Sequence, residues 1–178
     1  MGTVCTQRVT GASMTADDRR RDRARCDLDV TGQVGWVRAK VCDLRPVIAG
    51  DDPTPWNLLR DGTIVRLERD VADTVTAWID APYVRARFPD GGSLFQLRLT
   101  ACAELTYTPY DEPPITELAA IASSEPSLVE AKLDRGTIVV SVSAGALRVR
   151  YTSLVLELDT GTPVALEDLR RVVRDTDA

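Results

Sequence analysis

The sequence contains no histidine. That absence removes Ser-His and Cys-His nucleophile pairs, imidazole general bases and every histidine-containing metal site. What remains is carboxylate acid-base chemistry, oxygen-ligand metals or no catalysis. Lysine is nearly absent as well: only Lys40 and Lys132 occur, so the basic charge is almost all arginine. With abundant Ala, Val and Asp, this reads as the coding bias of a GC-rich bacterial genome and carries no functional signal. The four cysteines, Cys5, Cys26, Cys42 and Cys102, are scattered without any C-x-x-C spacing. Neither a zinc knuckle nor a thioredoxin-type pair is indicated. No apolar run approaches membrane-spanning length, and Met1 to Met14 lacks the apolar stretch of a secretory signal. The expectation is a cytoplasmic protein with reduced thiols, without a membrane partner, a metal or a cofactor.

What is present is an ordinary globular composition: 178 residues, 44% hydrophobic, with a net charge of -5. The length fits one domain plus an appendage. The negative charge argues against a nucleic-acid surface.

The strongest pattern runs from Gly136 to Leu158. Ile138, Val140 and Val142 alternate with Val139, Ser141 and Ser143, the period of a strand with one buried face. Ala144-Gly145 interrupts it, and a tight hairpin turn with Gly145 left-handed is expected. Leu147, Val149 and Tyr151 then alternate with Arg148 and Arg150. Further on, Leu154, Leu156 and Leu158 carry the apolar face, opposite Val155 and Glu157. The apolar parity has switched from odd to even numbers, which a regular strand cannot do. Either one extra residue near Thr152-Ser153 forms a β-bulge in a long bent strand, or the chain breaks there into two strands. The bulge suits a rolled sheet. In the bulged version Val149 and Leu156 are buried, and Arg148 and Glu157 are exposed.

Upstream, residues 1–54 read as an irregular or unstructured arm. Met1 to Thr6 fits the loose N-myristoylation pattern, against the plainer readings that Met14 is the true start or that the arm is unstructured. Thr15 to Cys26 is an Arg-rich run interrupted by Asp, more a solvated charge run than a nucleic-acid arm. Val37, Ala39 and Val41 have the spacing of a short strand. Gly50 to Pro55 is linker chemistry and marks the boundary of a single domain over residues 55–178. Strands are expected at Thr63 to Arg69 with Val65 and Leu67 on one side, at Thr74 to Ala81 with Val75, Ala77 and Ile79 inward, and at Leu94 to Ala101. Leu105 and Tyr107 extend the pattern to Thr108, and Leu128 to Leu133 is a weaker strand. Pro82 interrupts before an irregular edge or helical turn over Tyr83 to Phe88. Helices are expected at Ile115 to Ser123 and over Leu166, Leu169, Val172 and Val173. In the second, Glu167 and Asp168 come early and Arg174 late, as the macrodipole prefers.

Two clusters are candidate binding sites. Tyr107, Tyr110, Asp111 and Glu112 end a strand before Pro113-Pro114, where a loop on a rigid scaffold concentrates binding groups. The same acids also suit a helix N-terminus without any ligand. Tyr83, Arg85 and Arg87, with Asp90 nearby, have the residue types that read a carboxylate or phosphate. The alternative is a set of charges that guard an exposed edge against strand pairing. Trp56, Trp78 and Phe95 read as core or core-rim residues. No residue pattern identifies a catalytic group.

The fold expected is α+β: a meander-type antiparallel sheet of about seven strands, rolled, with two short helices. The leading function is a non-enzymatic binding or interaction protein with a protein partner. An immunity-like, toxin-neutralising partner is one concrete form, since acidic surfaces speed association with basic targets. The alternatives are a carboxylate-dependent hydrolase and a structural subunit. If the thiols are unpaired, a reducing agent leaves the thermal unfolding midpoint unchanged. A fall of several degrees, as the loss of about 2 kcal/mol would produce, would reveal a structural disulfide.

Overall fold

The computed structural model describes residues 45–176, which form an α+β fold built on two antiparallel sheets. In chain order come β1 (Val47–Ala49), α1 (Thr54–Leu58), β2 (Thr63–Arg69), β3 (Val75–Asp80), α2 (Pro82–Arg85), β4 (Leu94–Thr100) and β5 (Glu104–Pro109). Then follow α3 (Leu118–Ser123), β6 (Leu128–Asp134), β7 (Thr137–Val142), β8 (Gly145–Arg150), β9 (Ser153–Leu158) and α4 (Leu166–Thr176). One sheet has the order β1-β9-β4-β3-β2 and the other β5-β8-β7-β6. The single meander with two helices is therefore corrected to a five-stranded and a four-stranded sheet with four helices. The elements missed are short: β1 has three residues and α1 five, while the four-residue α2 is the helical turn offered beside an irregular edge after Pro82. Such lengths carry no readable period. Most of the expected N-terminal arm, residues 1–44, lies outside the described residues, as does the short strand around Val37 to Val41. The end of that arm is not irregular, because β1 pairs with β9 through Val47–Val155, Ile48–Leu154 and Ala49–Ser153. Among the described residues no helix is long and apolar enough to cross a membrane.

The two sheets share one bent ribbon. β4 pairs with β9 as far as Thr100–Ser153, and β5 pairs with β8 from Glu104–Arg150 onward. Between these pairs, Ala101, Cys102 and Ala103 on one strand face Tyr151 and Thr152 on the other. Three residues opposite two is the count of a bulge. The extra residue is absorbed at Ala101, which is left-handed with φ 48°. Thr152 N–H donates to Thr100 O at 3.0 Å and Ala103 N–H to Arg150 O at 2.9 Å, so the backbone stays paired around the corner. The parity switch thus marks a chain that leaves one sheet for the other. Thr152-Ser153 is a break between strands, and the bulge expected within a single strand is corrected accordingly.

Outside groups clasp this corner. Gly50 N–H donates to Thr152 O at 3.0 Å, and a Cβ on Gly50 would lie 2.1 Å from Tyr151 O. Only glycine allows that approach. Trp56 of α1 is 1% exposed and donates its indole N–H to the Tyr151 hydroxyl at 3.1 Å. Burial pushes the Tyr151 phenol up to about 12, so it stays neutral. The inward residues of both sheets, with Trp56, Leu59, Ile121 and Leu169 from the helical segments, form one hydrophobic core.

Bulges within a single strand pair lie elsewhere. The β2–β3 register shifts between Ile64 and Arg66, and the β6–β7 register between Leu128 and Glu130. In β2 the bulge at Val65 buries Ile64 and Leu67 and leaves Val65 exposed, so Val65 and Leu67 do not share one side as expected. In β3 and β4 the alternation holds, and Val75, Ala77, Ile79, Phe95, Leu97 and Leu99 are fully buried. Gly145 is not left-handed; positive φ falls instead in other hairpin turns, at Asp73 between β2 and β3 and at Arg135 and Gly136 between β6 and β7. Gly145 is small because a Cβ there would lie 2.2 Å from Thr108 O of the adjacent β5.

Both edges of the four-stranded sheet are blocked. Asn57 donates its amide N–H to Ala131 O at 2.9 Å and accepts from Ala131 N–H at 2.7 Å. The side-chain amide thereby imitates a neighbouring strand at the centre of β6. The β5 edge is met by Ile115, which exchanges both backbone bonds with Tyr107 at 2.9 and 2.7 Å. Edges closed in this way resist further strand pairing.

Glu157 departs most from expectation. It faces away from the core, yet is 3% exposed. Arg45, just before β1, pairs with one carboxylate oxygen, and Arg98 of β4 lies 3.9 Å from the other. The outward direction was readable from alternation. The cover was not, because it comes from a segment 112 residues away. Leu156→Ala is expected to cost about 2 to 5 kcal/mol as a core truncation. Glu157→Ala is expected to cost about 1 to 2 kcal/mol, because its arginine partners keep part of their hydration. Urea denaturation checks both, and a neutral Glu157→Ala would show that the pairing adds nothing to stability.

Candidate functional site

The seven sequence-predicted binding residues fall at opposite ends of the bent ribbon. Tyr83, Arg85 and Arg87 lie in and just after α2, beside the start of β4. Tyr107, Tyr110, Asp111 and Glu112 lie at the end of β5.

At the first end, α2 begins with Pro82, whose missing N–H costs nothing in the first turn. A helical turn here, rather than an edge strand, removes the edge-guarding role considered for the arginines. Arg85 is 3% exposed and reads a carboxylate of its own chain. One terminal nitrogen donates to Asp159 Oδ1 at 3.3 Å and the other to Asp90 O at 3.1 Å. Its Nε–H is buried without a hydrogen-bond partner among the described residues. Asp159 follows β9 directly, and its other oxygen accepts the backbone N–H groups of Ser93 and Leu94 at 2.8 and 3.1 Å. Desolvation works to raise the Asp159 carboxyl. The two amide donors and the Arg85 guanidinium outweigh it and hold the group below the usual range. Gly92 is required beside this pair, since a Cβ there would lie 1.8 Å from Asp159 Oδ1. Asp90 accepts hydrogen bonds from the hydroxyls of Thr162 at 2.6 Å and Thr160 at 3.1 Å, which lower its pKa. These bonds stitch the loop after α2 to the turn after β9.

Two cavities flank Phe88 and Asp90. One, of about 380 Å3, is bordered by Asp80, Arg85, Phe88 and Ser93. The other, of about 290 Å3, lies between Phe88 and the chain leading into α4. Arg87 is exposed and borders the second. Tyr83 is 38% exposed and donates its hydroxyl to Arg60 O, so it serves as a tie to the turn before β2. A third cavity, of about 470 Å3, adjoins Cys102 and Arg69 at the ribbon corner. Burial pushes the Cys102 thiol up, against the opposing effect of Arg69, so it is protonated near neutral pH. A protonated, 2% exposed thiol is chemically inert.

At the second end, Tyr107 and Tyr110 part company. Tyr107 is 2% exposed and donates its hydroxyl to Ala144 O at 3.3 Å. Burial, with Glu112 and Tyr110 nearby, pushes its phenol above the ordinary value. It is a core residue. Tyr110 is 68% exposed, and Asp111 and Glu112 beside it are exposed too. The loop is nonetheless held at both ends. Tyr110 N–H donates to Ala144 O at 3.0 Å, and the Tyr107–Ile115 bridge closes its base. Asp111 turns the chain with φ 62°. The acids do not open a helix as the alternative reading had it, because α3 begins at Leu118.

The sequence reading missed Asp159 and the threonine clasp on Asp90. Asp159 stands 74 residues from Arg85, and no local spacing links them. Trp78, read as core or core-rim, is half-buried on the outer face of β3, with the Arg66 guanidinium 4.4 Å above its ring. Among the described residues no group of three or more acidic or sulfur side chains is arranged to hold a metal. Compared with known protein families, curated proteins and solved structures, the chain matches none.

Asp159→Asn is expected to destabilise the fold by about 3 kcal/mol at neutral pH, since it leaves the buried Arg85 charge uncompensated. Because the folded Asp159 pKa is lowered, its contribution is present above the unfolded value of about 3.9 and is lost as pH falls through the folded value. The gap between wild type and variant therefore narrows on acidification. Urea unfolding at about pH 7 and about pH 3 checks this, and a gap that does not change with pH would rule out the ion-pair account.

Proposed function

We propose that this chain is a non-enzymatic binding protein of a bacterial cytoplasm that engages a basic protein partner through the Tyr110–Glu112 loop. The observation that carries this reading is a tyrosine 68% exposed on a loop pinned at both ends. Interface hot spots are enriched in tyrosine, and a pre-ordered loop loses little conformational entropy on binding. Asp111 and Glu112 beside it supply the negative charge that steers a basic partner. A toxin-neutralising, immunity-like role is one concrete form: a small acidic protein covering a basic target.

The carboxylate-hydrolase alternative gains no comparable support. It needs an acid held protonated at its working pH. Asp90 and Asp159, both at the cavity end, are instead held in the ionised state by hydroxyl, amide and guanidinium donors.

Immobilised full-length protein tests the reading by capture from a lysate of its own source. The expected result is a basic protein that is released as salt rises. Tyr110→Ala, and separately Asp111→Asn with Glu112→Gln, should weaken its retention by about tenfold or more. Tyr83→Phe, at the other end of the ribbon, should not. Equal retention by the wild type and the Tyr110 and acid variants would overturn the proposal.

A further inference from the structure

The cavity between the loop after α2 and the start of α4 is built from the core outward. Its floor is Leu158 and Val164, which are 1% and 3% exposed. Phe88, Pro163 and Val172 form apolar walls. Phe88 is held edge-on against the buried Phe95, with ring centroids 5.7 Å apart and planes at 84°. The threonine clasp on Asp90 fixes the loop against the turn after β9, so the two walls are tied together. At about 290 Å3 the cavity lies near the lower end of the roughly 300–1,000 Å3 range of small-molecule sites.

Four charged residues border it: Arg87, Asp90, Asp168 and Arg171. Three are already engaged. Arg171 donates to Asp168 at 2.6 Å, and the Asp90 carboxylate accepts the hydroxyls of Thr160 and Thr162. Arg87 is different: its guanidinium has no hydrogen-bond or ion-pair partner among the described residues. The Asp90 charge remains, but its Oδ2 is occupied by the threonine hydroxyls, so the Arg87 guanidinium is the border group left to pair with an apolar body carrying one anionic group. A guanidinium presents parallel N–H donors that match the two oxygens of a carboxylate.

We propose that this cavity is a binding site for a small carboxylic acid with an apolar body, which fills the space over Leu158 and Val164 while its carboxylate meets Arg87. This site is separate from the Tyr110–Glu112 loop and does not depend on the protein-partner reading. Binding requires no chemistry at the ligand. Phosphate or acetate alone would miss the apolar floor, and an uncharged aromatic would leave Arg87 unmatched.

Amide NMR of the full chain titrated with phenylbutyrate tests the site, with phenylbutyramide as the uncharged analogue. Phenylbutyrate is expected to shift the amides of Phe88, Val164 and Val172 and to bind with a dissociation constant of about 1 mM or tighter. Phenylbutyramide should bind roughly tenfold more weakly, and Arg87→Ala should weaken phenylbutyrate by a similar factor. Arg87 is exposed, so its replacement leaves the fold intact. Val172→Trp, which places an indole in the hollow, should abolish the shifts. No shifts up to about 10 mM would overturn the proposal. So would shifts that map elsewhere, equal binding of acid and amide, or an affinity indifferent to Arg87→Ala.

Discussion

The structure depends on a two-stranded ribbon that turns a corner without losing its hydrogen bonds. β4–β5 and β8–β9 run side by side through both sheets, and three residues face two where they bend. A β-strand has two faces and a period of two, so a strand that changes sheets must spend an extra residue to keep its apolar side on a shared core. Ala101 absorbs that residue in a left-handed conformation. Gly50 and Trp56 close over the bend from the segment around α1. The single core exists because this corner brings the inner faces of both sheets onto one set of side chains.

Charge follows the same architecture. Where strands emerge from the bend and end, carboxylates are enclosed and paired rather than left in water. Glu157 is covered by Arg45 and Arg98 on the outer face of the five-stranded sheet. Two residues later, Asp159 binds Arg85 and two backbone amides beside the start of β4. A paired buried charge is weak evidence for net stability, because desolvation offsets much of the attraction. Its firmer consequence is positional. The Arg85–Asp159 contact and the threonine clasp on Asp90 set the loop after α2 against the turn after β9, and the Phe88 cavity is the space left between them.

The ribbon also separates the two candidate sites. One end presents a pinned acidic loop with an exposed tyrosine, the place of the proposed protein contact. The other end holds a small apolar hollow with Arg87 at its border. Hydrogen bonds tie both loops to neighbouring segments, Tyr110 to Ala144 at one end and Asp90 to Thr160 and Thr162 at the other.

The sequence by itself determined the α+β class, most strand positions, the inward faces of β3, β4 and β7, and the amphipathic C-terminal helix. These are read from local periods, which reflect how side chains alternate or spiral along a single segment. It also carried the parity switch that betrays the corner. Only the tertiary structure decided that the switch separates two sheets, because the compensating residue lies on the partner strand at Ala101. Only it showed that Arg85 is buried and Tyr107 is core, while Tyr110, three residues on, is exposed. Burial of a charge is decided by whatever packs over it, and here the covers, Asp159 for Arg85 and Arg45 for Glu157, stand 74 and 112 residues away. Local pattern sets the direction a side chain points; the chain's return path decides whether water is there to meet it.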